Sequence, residues 1–343
     1  MDENYTFENR YITAIAWNSR GTHIAIATSD WGGSDSVYVN NCLRIINAAS
    51  GKAEITLLTG STFGMQRLAW RNADREIVAM SEGGDFRCFD VQAGCTIINQ
   101  WDGDSLVQSD FNPSRTQVAC VVRRMRIDLE SHKMSDEPAI LEVYDIESHA
   151  ILQKALLPSQ DGTITDWFGW SADGKMLAMT NRKGNVVIYQ WDGTAFSFQH
   201  KTTFVIDKDH AGVTSGAWGP DSRHLALAND HDHPSAIAIY DAVTNEVVRR
   251  LDKSVCASAL TWSAEHNLIA ARPIRPGPPY PVRIWDGNTG QIVGEGPEQY
   301  FFVQAWSPDG VLAGGASFTY EEYLQDPTMT GVTIQRPKSL PPR

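Results

Sequence analysis

The stretch Phe302-Val-Gln-Ala-Trp306-Ser-Pro-Asp-Gly310-Val-Leu-Ala313 contains the pattern that decides the fold. An apolar run that ends in tryptophan is followed by a polar four-residue turn and then by a second apolar run. The same pattern occurs at Ile164–Trp170 with Met176–Met179, and at Val213–Trp218 with His224–Ala228. Short runs of alternating apolar residues with turn residues between them predict antiparallel β-strands.

This pattern recurs as seven units along the chain. The aromatic residue that ends the first strand marks each unit: Trp17, Trp70, Phe111, Trp170, Trp218, Trp262 and Trp306. Successive markers are 53, 41, 59, 48, 44 and 44 residues apart. A period of about 40–45 residues is that of a four-stranded propeller blade. A third apolar strand follows each pair, and a fourth follows in six units, so we expect strands a, b, c and d in each repeat.

The sequence resembles the WD40-repeat family over essentially its whole length. The turn between strands a and b carries the family pattern in Trp170-Ser-Ala-Asp-Gly174 and Trp218-Gly-Pro-Asp-Ser222, as well as in the stretch quoted above. The Trp-Asp position at the end of strand c is filled by Phe89-Asp90, Tyr144-Asp145, Tyr240-Asp241 and Trp285-Asp286. The family's Gly-His dipeptide is mostly missing, and Asp209-His210 is its nearest match. The resemblance implies an all-β, seven-bladed, WD40-type β-propeller with four-stranded blades.

The seventh unit lacks a fourth strand of its own. After Val332–Ile334 the chain enters the proline-rich segment 336–343, which we expect to be an irregular tail because proline opposes strand pairing. An unpaired edge at this place would be a liability. The segment 1–10 contains Asn4–Glu8, which has no unit of its own. As in WD40 proteins generally, we expect it to close the ring in the last blade, so that residues 1–343 form one propeller domain.

Composition excludes some classes of function. The formal net charge is 29 − 41 = −12, which argues against general nucleic-acid binding because phosphate backbones would repel the chain. The five cysteines are odd in number and form no C-x-x-C pair, which is typical of free thiols in a reduced compartment. We find neither a signal peptide nor an apolar run of about 18 residues, and therefore expect a cytoplasmic protein without a membrane segment.

The repeat is irregular mainly between strands b and c. These connections are long at residues 29–42, 123–140, 272–281 and 316–331, but short at 82–85 and 181–185. In a propeller all b–c connections project from one face, which we call the b–c face. Insertions that collect on one face commonly mark a binding face. The insertions could also have accumulated by random drift, because surface loops tolerate insertions at little energetic cost. Drift should, however, lengthen the a–b and c–d turns as well, and these turns are short throughout.

Two of these insertions carry residues that suit recognition. Arg123 and Arg126 lie in an otherwise acidic chain, either as part of a self-neutralising loop or as a cluster that reads an acidic or phosphorylated partner. Arg272, Arg275 and Tyr280 lie in a proline-rich stretch. This stretch is either a rigid surface loop or a stiff loop that presents these side chains at low entropic cost.

The sequence gives little sign of catalysis. It contains no Gly-x-Ser-x-Gly elbow, P-loop, dinucleotide fingerprint or His-Glu-x-x-His pair. His231-Asp-His233, with Asp230 beside it and His210 as a more distant candidate, is the only metal-like cluster, but a polar loop before Pro234 explains it better. We therefore predict no metal and no cofactor.

Two functions remain open. The first is a protein-interaction scaffold that binds a peptide or protein partner on the b–c face and needs no catalytic residue. The second is an enzyme or small-molecule binder with a pocket at the mouth of the central channel. Its candidate residues are Arg67, Asp166, Trp167, Asp230, His231 and Tyr300. Aromatic residues in this region also serve as packing between blades.

Overall fold

A computed structural model describes residues 3–6, 11–31, 38–59, 64–81, 83–98, 105–123, 125–128, 133–136, 139–157, 165–181, 185–192, 198–205, 213–229, 237–251, 257–273, 282–295, 301–316 and 331–335. Regular structure in these ranges consists of 30 β-strands, numbered in chain order. Twenty-eight of them form antiparallel sheets of four strands, which we number from one to seven.

The bounds of the strands are as follows. Sheet one contains β2 (Tyr11–Trp17), β3 (His23–Trp31), β4 (Tyr38–Asn47) and β5 (Ala53–Leu58). Sheet two contains β6 (Met65–Arg71), β7 (Glu76–Ser81), β8 (Phe86–Asp90) and β9 (Cys95–Ile98). Sheet three contains β10 (Ser105–Phe111), β11 (Gln117–Arg123), β14 (Ile140–Asp145) and β15 (Ile151–Leu156). Sheet four contains β16 (Thr165–Trp170), β17 (Met176–Asn181), β18 (Asn185–Trp191) and β19 (Phe198–Val205).

The remaining sheets follow the same order. Sheet five contains β20 (Val213–Trp218), β21 (His224–Asn229), β22 (Ile237–Asp241) and β23 (Glu246–Arg250). Sheet six contains β24 (Ala257–Trp262), β25 (Leu268–Pro273), β26 (Arg283–Asp286) and β27 (Ile292–Glu295). Sheet seven contains β28 (Phe301–Trp306), β29 (Leu312–Ala316), β30 (Gly331–Gln335) and β1 (Glu3–Thr6). A separate two-stranded hairpin consists of β12 (Met125–Asp128) and β13 (Lys133–Asp136).

The sheets stand in a ring. The first strand of each sheet contacts the first strand of the next, and β28 contacts β2. A buried apolar cluster lies at each of these interfaces, which we call seams; the cluster at the seam between sheets seven and one joins Ala313 to Ile24. Because every sheet is covered on both faces, its second strand is apolar at consecutive positions, as in Leu225–Ala228, all four of which are buried.

Both described ends of the chain lie in sheet seven. β1 is its outermost strand and pairs antiparallel with β30, with Asn4 opposite Thr333 and Tyr5 opposite Val332. The strand therefore occupies the place that the seventh repeat leaves empty. It begins at Glu3, one residue before the expected Asn4–Glu8, while residues 7–10 and the predicted tail 336–343 lie outside the described residues.

Two of the segments that we expected to be loops contain strands, and that expectation was wrong for them. In sheet one, β3 and β4 continue past a register shift until Trp31 pairs with Tyr38. The insertion 123–140 contains the β12–β13 hairpin, in which Arg126 pairs with Ser135. Aromatic and alternating apolar residues favour strands in these places once a neighbouring strand aligns them. Arg272, which we expected in a loop, lies in β25.

Other expectations concern cysteine and the membrane. The side chains of Cys42, Cys88 and Cys120 are buried and free of disulfide bonds. Burial raises the pKa of the Cys88 thiol to about 12, so this side chain is held as an unreactive thiol. In the part of the chain that the structure describes, no helix has the length and apolar character needed to cross a membrane.

Candidate functional site

The first strands share a distortion near the b–c face. Each of the seven pairs of first and second strands has a register shift towards the beginning of the first strand, where the b–c connections also leave the sheet. The residues within the shifts are Thr13, Gln66, Val107, Asp166–Trp167, Thr214, Ala259–Leu260 and Phe302. Bulges re-aim side chains and are common beside functional sites. They make the ring of first strands at this end of the channel a candidate site.

Side chains of sheets five and seven bind the inner edge of sheet six. The Thr214 hydroxyl donates to the carbonyl oxygen of Ala257 at 2.6 Å. The Ser215 hydroxyl oxygen accepts from the Leu260 amide at 2.9 Å, and the Gln304 amide donates to the carbonyl oxygen of Ala259. An inner edge is an unpaired sheet edge, so its polar groups need such partners when buried. Ala259 has a φ of 52°, a strained value for a residue with a Cβ that these contacts hold in place.

A second set of contacts joins sheets two, three and four. Arg67 Nε donates to the carbonyl oxygen of Ser109 at 3.0 Å, and the Trp170 amide donates to Asp110 Oδ2 at 3.0 Å. The pKa of the Asp110 carboxyl is raised, because burial outweighs the charge of Arg67 and the bond from Trp170. The guanidinium of Arg67 is therefore bound to the neighbouring first strand, and its role as a binding residue at the channel stays a prediction.

Marker tryptophans join three other seams. The indole nitrogens of Trp17, Trp70 and Trp218 donate to the carbonyl oxygens of Ala305, Ala16 and Gly169 at 3.1, 3.0 and 2.9 Å. In each case the acceptor lies immediately before the marker of the preceding sheet. We predicted that the markers lie between sheets, and Trp218, which is 8% exposed within the core of sheets four and five, confirms this.

The other four seams lack this indole bond in the described residues. Phe111 has no ring nitrogen, and Trp262 donates instead to Asn267 Oδ1 in its own turn at 2.7 Å. The indole nitrogens of Trp170 and Trp306 are buried without a hydrogen-bond partner. These are the seams that carry the side-chain contacts of the two preceding sets. Each seam of the ring therefore has at least one polar bond.

Trp167 is held by two glycines. Its half-buried indole packs on the core of sheets four and five. A Cβ added at Gly169 or Gly216 would lie only 2.6 or 2.7 Å from indole carbons of Trp167, so neither position has room for a side chain. The Trp167 amide donates to the Thr180 hydroxyl at 3.0 Å. Trp167 thus fills the space between two inner strands next to the channel.

Comparisons with known proteins agree with this ring of sheets. No family model and no curated protein matches the chain. Among solved structures, the beta-propeller domain of Cps50 (Swd1) from Myceliophteria thermophila is similar, with a TM-score of 0.66 and 15% sequence identity over 97% of this chain and 99% of that one. The fold is a β-propeller. A likeness at this identity shows the fold alone, and the all-β propeller prediction is confirmed.

The propeller uses its Trp-Asp positions as turn caps on the face opposite the b–c face. Asp241 Oδ1 accepts from the amides of Val243 and Thr244 at 2.7 and 3.1 Å, while its Oδ2 accepts from Arg223 Nε at 2.7 Å. These donors lower the pKa of Asp241 to about 2. Asp286 caps its turn in the same way. These residues stabilise the blades and take no part in the candidate site.

Sequence reasoning missed the matching caps of the a–b turns. Asn18 Oδ1 accepts from the amides of Thr22 and His23, and the Ser307 hydroxyl accepts from the Val311 amide. A signal was present, because Asn or Ser directly follows the marker in five of the seven repeats. These caps explain why the a–b turns stay short.

The remaining predicted site residues are only partly placed. Arg123 ends β11, and Arg126, Asp166 and Arg272 lie within strands, but their side chains are outside the description. Asp230, His231, Arg275, Tyr280 and Tyr300 lie outside the described residues altogether. In the described ranges no three histidine, cysteine or acidic residues form a metal-binding group.

Proposed function

We propose that this chain is a seven-bladed, WD40-type propeller that acts as a protein-interaction scaffold and binds a protein or peptide partner on its b–c face. Seven sheets of four strands in a ring support the blade number. The pairing of β1 with β30 supports closure of the ring by the N-terminal strand. Propellers host many different functions, so the function has to be inferred from the site and not from the fold.

The observation that carries this proposal is the difference between the two faces. On the b–c face, β3–β4 and β12–β13 extend the chain beyond the sheets as hairpins. On the opposite face, the turns are short and their amides are bound to Asp, Asn or Ser side chains. Hairpins that project from one face offer a partner both side chains and strand edges, whereas capped turns offer little beyond stability.

A small-molecule pocket at the channel mouth is the second candidate. The two-residue bulge at Asp166–Trp167 favours it, since it places an aromatic side chain next to the channel. The contacts of Arg67 and Asp110 favour the scaffold, because both charged groups already bind neighbouring inner strands. A pocket there would have fewer free polar groups for orienting a substrate.

The experiment that tests the scaffold is quantitative affinity capture with the purified chain and two charge-matched variants. The first variant is Arg123→Glu/Arg126→Glu on the b–c face. The second is Lys52→Glu/Lys175→Glu, whose exposed side chains lie in turns of the opposite face. We expect loss of the captured partner only for the first variant, with unchanged melting temperatures. Loss for the second variant alone would place the partner on the other face, and turnover of a small molecule that depends on Asp166 would favour the pocket.

A further inference from the structure

The outermost strands of five sheets share a distortion. In sheets one, three, four, five and six, the outermost strand has one residue more than its neighbour at the same place, and this residue lies outside the ladder. The extra residues are Glu54, Leu152, Lys201, Val248 and Val293. Such a bulge bends an edge strand and interrupts its regular row of N–H and C=O groups, which protects the edge against pairing with another chain.

Sheet two lacks this protection. Its outermost strand, β9, pairs with β8 without a register shift, and Thr96 lies opposite Phe89 while Ile97 lies opposite Cys88. In sheet five, the extra residue follows the partner of Tyr240, which stands at the same Trp-Asp position as Phe89. β9 is therefore one residue shorter at this point, and its ladder stays regular.

The sequence of β9 lacks a second kind of protection. Its four residues, Cys95–Ile98, include no charged residue, whereas each of the other six outermost strands contains at least one. The ladder of β1 is also regular, but β1 contains Glu3. Charged residues on an edge strand oppose its pairing with another chain. Among the seven outermost strands, β9 alone combines a regular ladder with an uncharged, β-favouring sequence.

The blade holds β9 in a fixed position. In the turn before the strand, Asp90 Oδ1 accepts from the amides of Gln92 and Ala93 at 2.9 and 2.8 Å, and the Gly94 amide donates to the Asp90 carbonyl oxygen at 3.0 Å. All five residues of β8 are buried. No described strand pairs with the other edge of β9. The edge is therefore ordered before any partner binds, which lowers the entropic cost of binding.

The size of the edge decides between a second copy of this chain and a segment of another protein. Four residues of strand are roughly 14 Å long. A stable dimer buries about 1,200 Å² or more in total, and a strip of this length and one strand in width cannot supply that area by itself. A single extended segment needs no such area, because its affinity comes from main-chain hydrogen bonds along the edge.

We propose that the outer edge of β9 binds an extended, uncharged segment of a partner protein, rich in β-branched residues, which adds to sheet two as a further strand. A charged residue in that segment would lose solvation against an uncharged strand without gaining an ion pair. The edge lies at the outside of the ring, so this surface is separate from the b–c face and does not depend on the function proposed for that face.

The test uses a fluorescein-labelled heptapeptide of alternating threonine and valine with the full chain, followed by fluorescence anisotropy. A copy of the peptide with methylated backbone amides should bind at least about tenfold more weakly, because it cannot donate to the edge. A heptapeptide of alternating threonine and glutamate should also bind at least about tenfold more weakly. Equal affinity for the plain and methylated peptides, or no binding of the plain peptide, would overturn the proposal, and equal affinity for the glutamate peptide would overturn the uncharged class of partner.

Two variants locate the binding edge. Thr96→Lys adds a charge to β9, and Thr56→Lys makes the same change in β5, whose edge is bulged. Only the first should weaken binding, by about fivefold or more, while the second should leave the affinity within about twofold. Val247, the equivalent of Thr96 in sheet five, is exposed, so we expect the lysine to leave the melting temperature unchanged.

A further variant covers the case in which Thr96→Lys does not fold. Insertion of one valine between Thr96 and Ile97 restores the bulge of the other sheets and should abolish binding of the heptapeptide. Unchanged binding in this variant, or an equal loss in the two lysine variants, would show that β9 is not the site. A dimer in sedimentation velocity that Thr96→Lys dissociates would assign the edge to a second copy instead. Arg123→Glu/Arg126→Glu should bind the heptapeptide normally, so failure of the b–c face proposal and failure of this one are distinguishable.

Discussion

Two tryptophans at equivalent positions make it possible to measure one bond between blades. Trp218 Nε1 donates to the carbonyl oxygen of Gly169 at 2.9 Å, whereas Trp306 Nε1 is buried without a partner. Trp218→Phe and Trp306→Phe both replace an indole by a phenyl ring, so the loss of side-chain volume is the same. Only the first leaves a buried carbonyl oxygen without its donor, while the second removes a donor that was already unsatisfied.

The expected difference in stability between the two variants follows from this asymmetry. A buried polar group that loses its partner costs about 1–3 kcal/mol, in addition to the loss of packing that both variants share. We therefore expect Trp218→Phe to lower the free energy of unfolding by at least about 1 kcal/mol more than Trp306→Phe. In Trp306→Phe the polar contribution is neutral or favourable, because one desolvated N–H group is removed.

The assay is urea denaturation followed by tryptophan fluorescence and circular dichroism, with the slope m compared among the three proteins. An unchanged m value shows that the midpoints report stability and not a change in the extent of unfolding. Equal losses in the two variants would refute the idea that indole bonds hold the seams. So would a larger loss in Trp306→Phe.

Three further predictions follow from the ring. Deletion of residues 1–10 removes β1 and exposes the edge of sheet seven, so the melting temperature should fall clearly; an unchanged value in a thermal melt would show that closure does not depend on this strand. Gly216→Ala places a Cβ against the Trp167 indole and should cost about 1–3 kcal/mol in denaturant titrations, and a neutral effect would mean that the indole moves freely. The folded protein lowers the pKa of Asp241 to about 2, from an ordinary value of 3.8. The stability that the Asp241 carboxylate contributes is therefore complete above pH 3.8 and is lost as the pH falls towards 2. In Asp241→Asn, the free energy of unfolding measured by denaturant titration should depend less on pH in this range, and an unchanged pH dependence would contradict this.

The repeat made most of the strands predictable, because each unit carries its own apolar alternation and its own turn residues. The four strands of sheet five, for example, follow directly from Val213–Trp218 and the segments after it. The β12–β13 hairpin was harder to predict, since each of its strands has only four residues and the apolar alternation in them is correspondingly short. Its strands depend on β11 and β14, which bring the two ends together.

The candidate site was harder to predict, because its contacts cross between repeats. We predicted from the sequence that Arg67 lies at the channel, but its bond to the carbonyl oxygen of Ser109 depends on how sheets two and three pack. The bulge at Ala259 has no local signal either, since alanine is an unfavourable residue for a positive φ. Neighbouring Gln304 and Ser215 stabilise it from two other repeats.

The position of β1 also determines when the molecule can become complete. Glu3 pairs with Ile334, so almost the whole chain separates the two partners of this last ladder. During synthesis, β1 leaves the ribosome long before β30 and has no partner in sheet seven until β30 has followed it. Contacts of such large sequence separation form slowly, because the entropy of closing the loop is lost before the ladder is gained. Sheets one to six can therefore assemble as an open arc, and the joining of the first strand to the last is the step that turns the arc into a ring.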